Sequence, residues 1–309
     1  MTKSRNVVAS VLARLRNVAA AGGLSFNDVL TRYMIERFLA RVAGSVEVDS
    51  VLLKGALMLS VWGVPRARPT MDIDLLRRGP ADPDSLKKFV IACVTLDDAD
   101  DGVTFDPSTL IVEPIAEDTE YTGTRVRLLA RMDNVKQFIQ IDFGVGDAVH
   151  PNPQWIEYPV LLNGPALRLR AYPVEAAIAE KFHAMVELDL RNSRMKDFYD
   201  IWVLSNTLTF QSAPLAEAIQ STFASRRTDL PVAVPKALTA AFHGDDVHRR
   251  QWRAFMGRIS EPADMPSLES VALAIERFLM PVAGIDAQSL GDSRWGPGGP
   301  WSANDARDG

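Results

Sequence analysis

Apolar side chains recur at helical spacing along the start of the chain. Intervals of three and four residues, the period of one helix face, separate Val8, Val11, Leu12, Leu15 and Val18. Gly22 and Gly23 interrupt this pattern, and Ser25 followed three residues later by Asp28 is typical of a helix N-terminus. The pattern therefore predicts two helices over residues 7–43, the second of which begins after Ser25.

The middle of the chain alternates between short apolar runs and turn residues, which is typical of strands. Strands are predicted at 48–53, at 71–77, at several places within 102–146, at 158–162 and at 166–170. A short helix is predicted over 56–63, and another begins near Pro83. Strands and helices thus share this part of the chain.

After Ala171 the apolar spacing becomes helical again. The predicted helices are 173–190, 194–204, 213–226, 233–242, 247–258 and 266–280. Beyond Pro281 the sequence is rich in Gly, Pro and Asp, which predicts a flexible tail.

The pattern as a whole predicts an α+β fold in four parts. The parts are N-terminal helices packing on the core (1–45), an α/β core (46–170), a helical C-terminal domain (171–284) and a flexible tail (285–309). A chain of 309 residues is long enough for such an arrangement.

Composition narrows the class of protein. The net charge of −5 is no global signature of nucleic-acid binding, although residues 161–260 hold 13 basic against 10 acidic residues. A single cysteine, Cys93, excludes an intrachain disulfide framework, and its apolar neighbours predict burial. No continuous apolar stretch has the length of a signal or a membrane span, so we expect a cytoplasmic protein that does not enter a membrane.

Two acids, Asp72 and Asp74, stand in the predicted strand 71–77. Side chains at i and i+2 of a strand point to the same face, so both carboxylates project together while Ile73 enters the core. Paired carboxylates of this kind suit Mg²⁺, whose remaining ligands can come from substrate phosphates. The alternative interpretation is a solvated strand end that carries two acids.

Two further features of the same part of the chain point to phosphate chemistry. Lys54 and Gly55 lie between a predicted strand and a helix, where backbone N–H groups can bind phosphate. Asp142 lies in a later strand and can supply a third carboxylate to a metal site beside a triphosphate. Taken singly, these features are also compatible with a plain turn and an exposed strand acid.

The helical part adds a second set of charged residues. Lys181 lies off the apolar stripe of its predicted helix and can face a cleft. On the next helix Asp197 and Asp200 are i, i+3 neighbours, and Lys196 can pair with Asp200 at i, i+4. The alternative is a solvated helix surface with ion pairs. The chain has no P-loop motif and no Gly-x-Ser-x-Gly elbow, which disfavours P-loop NTPases and α/β-hydrolases.

Taken in order, these blocks resemble the AbiEii/AbiGii toxin family, nucleotidyltransferase-like toxins that include the mycobacterial MenT toxins. The matching blocks are Leu52-Leu-Lys54-Gly55-Ala-Leu, Arg68-Pro-Thr70-Met-Asp72-Ile-Asp74, Gln140-Ile-Asp142-Phe-Gly-x-Gly-Asp147, Tyr172-x-x-Glu175-x-x-x-Ala-Glu180-Lys181-x-His183-Ala and Arg194-x-Lys196-Asp197-x-Tyr-Asp200. The resemblance covers roughly residues 10–205.

The resemblance implies a DNA polymerase β-like nucleotidyltransferase core, which is a mixed sheet with helices, followed by a helical C-terminal portion. It implies a toxin of a toxin–antitoxin or phage-defence system that uses Mg²⁺ to transfer nucleotides from an NTP to the 3′ acceptor end of tRNA, which blocks translation. It also implies a cognate antitoxin, a winged-helix protein encoded beside this chain. The same active site would serve nucleotide transfer to a protein or a small molecule, and a non-catalytic nucleotide-binding toxin is a further alternative.

The resemblance also assigns roles to individual residues. The catalytic residues would be Asp72, Asp74, Lys181 and Asp197, and the metal ligands Asp72, Asp74 and Asp142. The nucleotide-binding residues would be Lys54, Gly55, Ala56, Arg68, Thr70 and Lys196. One departure concerns Ala56, because the wider superfamily has Gly-Gly or Gly-Ser after the first strand. Alanine supplies no hydroxyl but keeps its N–H, so we expect phosphate binding to be weakened rather than lost.

Overall fold

The computed structural model describes residues 2–64, 68, 70–96, 101–115, 123–147, 149–259, 265–284 and 290–303. The chain divides into two compact units. The sheet unit comprises Met1–Gly63, Ala67–Asp147 and Gln154–Ala171. The helical unit comprises Val64–Arg66, Ala148–Pro153 and Tyr172–Gly309.

The sheet unit begins with the two predicted helices, α1 (Thr2–Gly22) and α2 (Phe26–Ala43). Gly23 has φ +62° and makes the turn between them. Ser25 takes the N-cap position of α2 as expected, but its side chain makes no capping hydrogen bond. Val11 and Leu15 of the predicted apolar stripe are buried, so α1 packs through that face.

A seven-stranded mixed sheet forms the centre of the sheet unit, with strand order β3-β4-β5-β2-β1-β7-β6. The strands are β1 (Val51–Lys54), β2 (Asp72–Arg77), β3 (Thr104–Ile115), β4 (Gly123–Met132), β5 (Val135–Val145), β6 (Gln154–Tyr158) and β7 (Leu167–Ala171). β2 pairs with β5 and β1 with β7 in parallel, and the remaining neighbours are antiparallel. The strand that carries Asp72 and Asp74 is therefore central.

The core of this unit lies on one face of the sheet. Ile73 of β2 and Ile141 of β5 are fully buried in a cluster that also contains side chains of α1, α2 and α4 (Pro83–Val94). Cys93 of α4 is buried in the same cluster, as its apolar neighbours predicted. Because strand side chains alternate between faces, the acids beside these isoleucines are directed to the opposite face.

Three boundaries in the sheet unit differ from prediction. Residues Val48–Ser50 form a 3₁₀ turn, so β1 starts later than expected. The helix predicted over 56–63 is a 3₁₀ turn followed by the one-turn α3 (Met58–Val61). The strand predicted at 158–162 ends at Tyr158, because Pro159 cannot donate a ladder hydrogen bond, and it begins earlier as β6.

The helical unit contains six α-helices within the described residues. They are α5 (Val174–Leu188), α6 (Met195–Thr207), α7 (Ser212–Ser225), α8 (Ala240–His243), α9 (Asp246–Met256) and α10 (Leu268–Ala283). The helix predicted over 233–242 is wrong as a continuous element. A 3₁₀ turn and α8 replace it, because Thr239 between them is extended, with ψ of 170°.

Part of the range expected to be a flexible tail is ordered. Within residues 290–303 the strands β9 (Ser293–Trp295) and β10 (Trp301–Ala303) join β8 (Phe210–Gln211) in a three-stranded sheet. The rings of Trp295 and Trp301 pack on Phe278 of α10, at centroid distances of 4.9 and 5.9 Å. The Gly/Pro-rich composition concealed two aromatic anchors. Residues 285–289 and 304–309 lie outside the described part of the chain.

Membrane insertion was not expected from the sequence. Among the helices that the structure describes, none combines the length and the apolar character that a bilayer crossing requires.

Candidate active site

Three carboxylates converge on the face of the sheet that lies opposite the core cluster. Asp74 of β2 lies directly beside Asp142 of the parallel strand β5, and Asp72 lies two residues before Asp74. One ligand oxygen from each of the three acids lies within 4.8 Å of the others, and all three residues are half-buried. We call Asp72, Asp74 and Asp142 the acidic cluster. The structure thus brings together the three predicted metal ligands.

A guanidinium group holds the third acid of the cluster. Arg125 of β4 is the register partner of Asp142, and its Nε and Nη2 each donate a hydrogen bond of 2.8 Å to one carboxylate oxygen. Gln140 Nε2 donates a further hydrogen bond of 3.2 Å to Asp142 Oδ2. The sequence analysis missed Arg125 as a site residue. Its alternation in β4 indicated a strand, but only the register with β5 identifies its partner.

Thr70 orients the first acid of the cluster. Its hydroxyl donates a short hydrogen bond to Asp72 Oδ1, so in this structure it contacts a cluster acid. Thr70 was predicted to bind nucleotide, and the structure places it at the edge of the acidic cluster. Arg68, two residues earlier in the same predicted block, is half-buried.

Gly55 makes room for the second acid. It has φ +72°, and a Cβ at this position would lie 1.9 Å from Asp74 Oδ2. Lys54 and Asp74 are register partners on β1 and β2, which explains why the Asp74 carboxylate lies against the Cα of the next residue. Glycine is therefore required here for close approach as well as for its backbone conformation.

The segment after Gly55 was expected to bind phosphate at a helix N-terminus. Gly55–Leu57 is a 3₁₀ turn and α3 is a single turn, so the helix dipole that favours anions is small. Ala56 is buried within this turn. Any phosphate contact here therefore depends on individual backbone N–H groups rather than on a long helix.

Lys54 is held by an acid from the loop after β5. Its Nζ lies 3.0 Å from Asp147 Oδ2, and the Asp147 side chain is nearly buried. The sequence analysis quoted Asp147 only within a motif and assigned it no role. The sequence feature that could have identified it is its position at the end of that motif, Asp142-Phe-Gly-x-Gly-Asp147.

The helical unit contains a second charged cluster, formed by Lys181 of α5 with Asp197 and Asp200 of α6. Lys181 Nζ lies 2.6 Å from Asp197 Oδ1 and 2.8 Å from Asp200 Oδ2. Both aspartates are only 1% exposed, so the interpretation of a solvated helix surface is wrong. Lys196 was expected to pair with Asp200; it is exposed, and Lys181 is the ion-pair partner of Asp200. We call these three residues the buried ion-pair cluster.

Neighbouring positive charges decide the protonation state of the buried Asp197 carboxyl. Burial alone would raise the pKa of this carboxyl, but the positive charges of Lys181 and Arg194 outweigh that effect and hold the pKa far below its usual range. Arg194 Nε lies 2.8 Å from Asp197 Oδ2 without hydrogen-bond alignment, so its contribution is mainly one of charge. Asp197 is therefore ionised throughout the physiological pH range.

The donor chemistry of the acidic cluster fits a hard divalent cation. Carboxylate oxygens are the ligands that Mg²⁺ and Ca²⁺ prefer, and three of them from adjacent strands lie close enough to share one ion. Asp74 Oδ2 occupies the space that a side chain at residue 55 would fill. Asp72, Asp74 and Asp142 are the residues of this site that could hold such an ion.

Comparison with known proteins identifies the family. A family model described as "Nucleotidyl transferase AbiEii toxin, Type IV TA system" matches residues 37–274. The fold is similar to the crystal structure of JHP933 from Helicobacter pylori, with a TM-score of 0.51 and 13% identity over 86% of this chain and 96% of that chain. A second H. pylori structure, of a protein proposed to be a nucleotidyltransferase, has a TM-score of 0.48 and 15% identity over 86% and 95% of the two chains. No relative was found among curated proteins.

The predicted fold class, an α+β nucleotidyltransferase core followed by a helical portion, is confirmed. At 13% identity the likeness to JHP933 supports the fold alone. The family match supports more, because it spans most of the chain and includes both charged clusters. The chain belongs to the AbiEii family of nucleotidyl transferase toxins of type IV toxin–antitoxin systems.

Proposed function

We propose that this toxin transfers a nucleotide from an NTP to the 3′ acceptor end of tRNA in a Mg²⁺-dependent reaction, and thereby blocks translation. The observation that carries the proposal is the acidic cluster, three carboxylates on adjacent strands in a chain of a nucleotidyltransferase family. Transfer of a nucleotidyl group needs concentrated negative charge to bind a cation next to a triphosphate, and the cluster provides it.

In the proposed reaction the RNA 3′-hydroxyl attacks the α-phosphorus of the NTP in line with the leaving pyrophosphate. Asp72 and Asp74, with Asp142 beside them, would hold Mg²⁺. When bound, the ion would neutralise the charge that develops on the phosphate oxygens. The chain's own contribution is mainly positioning, since phosphoryl transfer needs little covalent chemistry from the protein.

The nucleotide contacts we propose start from Lys54, Gly55 and Ala56, whose ammonium and backbone N–H groups can bind phosphate oxygens. Thr70 would act through Asp72, whose carboxylate it contacts. Arg68 and Lys196 would supply further positive charge to the nucleotide.

We propose that Lys181 contacts phosphate and that Asp197 positions it. The two buried aspartates fix the ammonium group at 2.6 and 2.8 Å, which limits its conformational freedom. A fixed cation stabilises developing negative charge at a lower reorganisation cost than a mobile surface lysine. Asp197 would therefore influence the reaction through Lys181.

The family implies an antitoxin partner for this toxin. We propose that the antitoxin is a winged-helix protein encoded adjacently, that the pair acts in the cytoplasm, and that it contributes to phage defence. Inspection of the neighbouring reading frames tests the first part. Co-expression of an adjacent winged-helix protein should relieve growth arrest by this toxin, and failure to do so would contradict that assignment.

The acceptor is tested by incubating the purified protein with total tRNA, Mg²⁺ and each α-labelled NTP in turn. We expect one NTP to label tRNA, and we expect no label with Asp74→Ala or with tRNA whose 3′-terminal diol has been oxidised by periodate. Label on protein bands after addition of lysate would instead indicate protein nucleotidylation. Stoichiometric inhibition of translation without any label would indicate a non-catalytic toxin.

A further inference from the structure

The contact between Arg125 and Asp142 has a direct bearing on how the acidic cluster binds a cation. Both oxygens of Asp142 accept a hydrogen bond from the guanidinium group at 2.8 Å, and Gln140 adds a third donor at 3.2 Å. A carboxylate has about four lone-pair positions, and three of those of Asp142 are therefore already used. Charge-assisted hydrogen bonds of this kind are roughly twice as strong as neutral ones, and the bidentate geometry fixes the orientation of the carboxylate.

Arg125 differs from the other arginines on its side of β4. Arg127 pairs with Glu113 and Arg131 with Asp106, and these acids belong to β3. Arg125 is directed to β5 instead, where its register partner is a cluster acid. Arg127, two residues further along the same strand face, therefore offers a matched comparison.

The guanidinium group changes the charge of the site. The three carboxylates contribute a formal charge of −3, and Arg125 brings the formal total of these four groups to −2, the charge that balances one divalent cation. A guanidinium group does not lose its proton in proteins, so the positive charge of Arg125 persists over the whole working pH range. A fixed positive charge next to the acids lowers the affinity of the site for a free cation.

We propose that Arg125 is a positioning residue that restrains Asp142 and keeps the affinity of the acidic cluster for a free divalent cation low. This inference rests on the cation site of the proposed function. It follows that the cation binds efficiently only together with substrate phosphates, which add negative charge and ligand oxygens of their own. Arg125 thus couples cation loading to nucleotide loading.

The test is Mn²⁺ affinity of the full-length protein without nucleotide, measured by titration calorimetry or electron paramagnetic resonance. We expect Arg125→Gln to bind Mn²⁺ about tenfold more tightly than the wild type, because the Asp142 carboxylate is released to the cation and a nearby positive charge is removed. Arg125→Lys, which keeps the charge and a hydrogen-bond donor for Asp142, should stay near the wild-type affinity. Arg127→Gln should leave the affinity unchanged. Circular dichroism spectra of the variants serve as the control that each one is folded.

A double-mutant cycle separates this mechanism from a general change of charge. In the Asp142→Asn background the substitution Arg125→Gln should tighten Mn²⁺ binding by less than about threefold, because the restrained carboxylate is absent. A non-reactive NTP analogue should reduce the difference in Mn²⁺ affinity between the wild type and Arg125→Gln. If Arg125 only maintained the local fold, Arg125→Gln would weaken Mn²⁺ binding rather than strengthen it.

Two negative results have different meanings. If the wild type binds Mn²⁺ and Arg125→Gln binds it equally or more weakly, Arg125 does not restrain the site and this inference is overturned. If no variant binds Mn²⁺ with or without nucleotide, the cation site of the proposed function fails together with it.

Discussion

At the scale of single residues, Gly55 is the most constrained position next to the acidic cluster. The substitution Gly55→Ala places a Cβ where Asp74 Oδ2 now lies and requires an alanine at φ +72°. We expect Asp74 to be displaced and the rate of nucleotide transfer to fall by roughly 10²-fold or more, since small displacements of catalytic groups have effects of that size. The measurement is the rate of label transfer together with Mn²⁺ affinity.

Gly63 supplies the control for this substitution. It has φ +69°, but a Cβ there would meet nothing within 4 Å. Gly63→Ala should therefore destabilise the protein by roughly 1–2 kcal/mol through its backbone alone and leave transfer unchanged. Equal losses of activity in both variants would show that backbone strain, and not the contact with Asp74, explains the effect.

The protonation of Asp197 predicts an acid-sensitive stability. The folded-state pKa of this group lies below its value of about 3.9 in an unfolded chain, so its ionisation stabilises the folded state above that pH. This contribution decreases as the pH falls below about 4. Between about pH 5 and pH 3 the free energy of unfolding should fall more in the wild type than in Asp197→Asn. Urea titrations measure both slopes, and identical slopes would contradict the prediction.

Residue types in the site could be predicted, but their partners could not. The spacing of Asp72 and Asp74 placed both on one strand face without any knowledge of the fold. The partnership of Arg125 with Asp142 depends on the register of β4 against β5, and no local pattern encodes that register. The contact of Lys181 with Asp200 depends on the packing of α5 against α6, which local spacing does not encode, and so Lys196 was expected to pair with Asp200 instead.

At the scale of elements, the C-terminal strands show how composition can conceal order. Glycines and prolines separate Trp295 from Trp301, and this spacing lets both indoles reach Phe278. Gly299 has φ +71°, and a Cβ there would lie 2.4 Å from the Trp295 ring. The prediction of a flexible tail rested on the glycine and proline content and did not consider the packing of Trp295 and Trp301.

Trp295 should therefore contribute substantially to the stability of the helical unit. It is 4% exposed, and its Nε1 donates a hydrogen bond of 2.8 Å to the Ser205 carbonyl. We expect Trp295→Ala to lower the free energy of unfolding by roughly 3–5 kcal/mol. Trp155→Ala, which removes a 39% exposed indole from β6, should cost less than half as much. Similar losses in the two variants, measured by chemical denaturation, would contradict this account of the tail.

Element boundaries were harder to predict than element types. Prolines and extended residues end elements abruptly, as Pro159 does after β6. Hydrophobic periodicity alone does not reveal these end points. Helices α5, α6 and α10 have long apolar stripes, and their predicted positions agree with the structure to within a few residues.

At the scale of the whole molecule, the sequence predicted an α+β core followed by helices, and the structure confirms this class. It could not predict the strand order. β2 is adjacent to β1 and β5, and the parallel pair of β2 and β5 results from a crossover that spans α4, β3 and β4. Long-range pairings of this kind depend on the packing of the complete sheet rather than on local sequence.

The single cysteine provides a probe of the sheet unit as a whole. Burial raises the pKa of the Cys93 thiol to about 11, and the side chain is fully buried. We expect the native protein to react with a thiol reagent at pH 8 at least 100-fold more slowly than the protein in denaturant, since reaction requires an exposed thiolate. Fast labelling of the folded protein would contradict the described packing of α4.

The central claim is that the acidic cluster is the catalytic centre of nucleotide transfer. The most direct test is the rate at which α-labelled nucleotide is incorporated into tRNA by the wild type, by Asp74→Asn and by Glu113→Gln, an acid of β3 paired with Arg127 outside the cluster. We predict a loss of roughly 10³-fold or more in Asp74→Asn and an unchanged rate in Glu113→Gln. A folded Asp74→Asn protein that transfers nucleotide within tenfold of the wild-type rate would contradict the account.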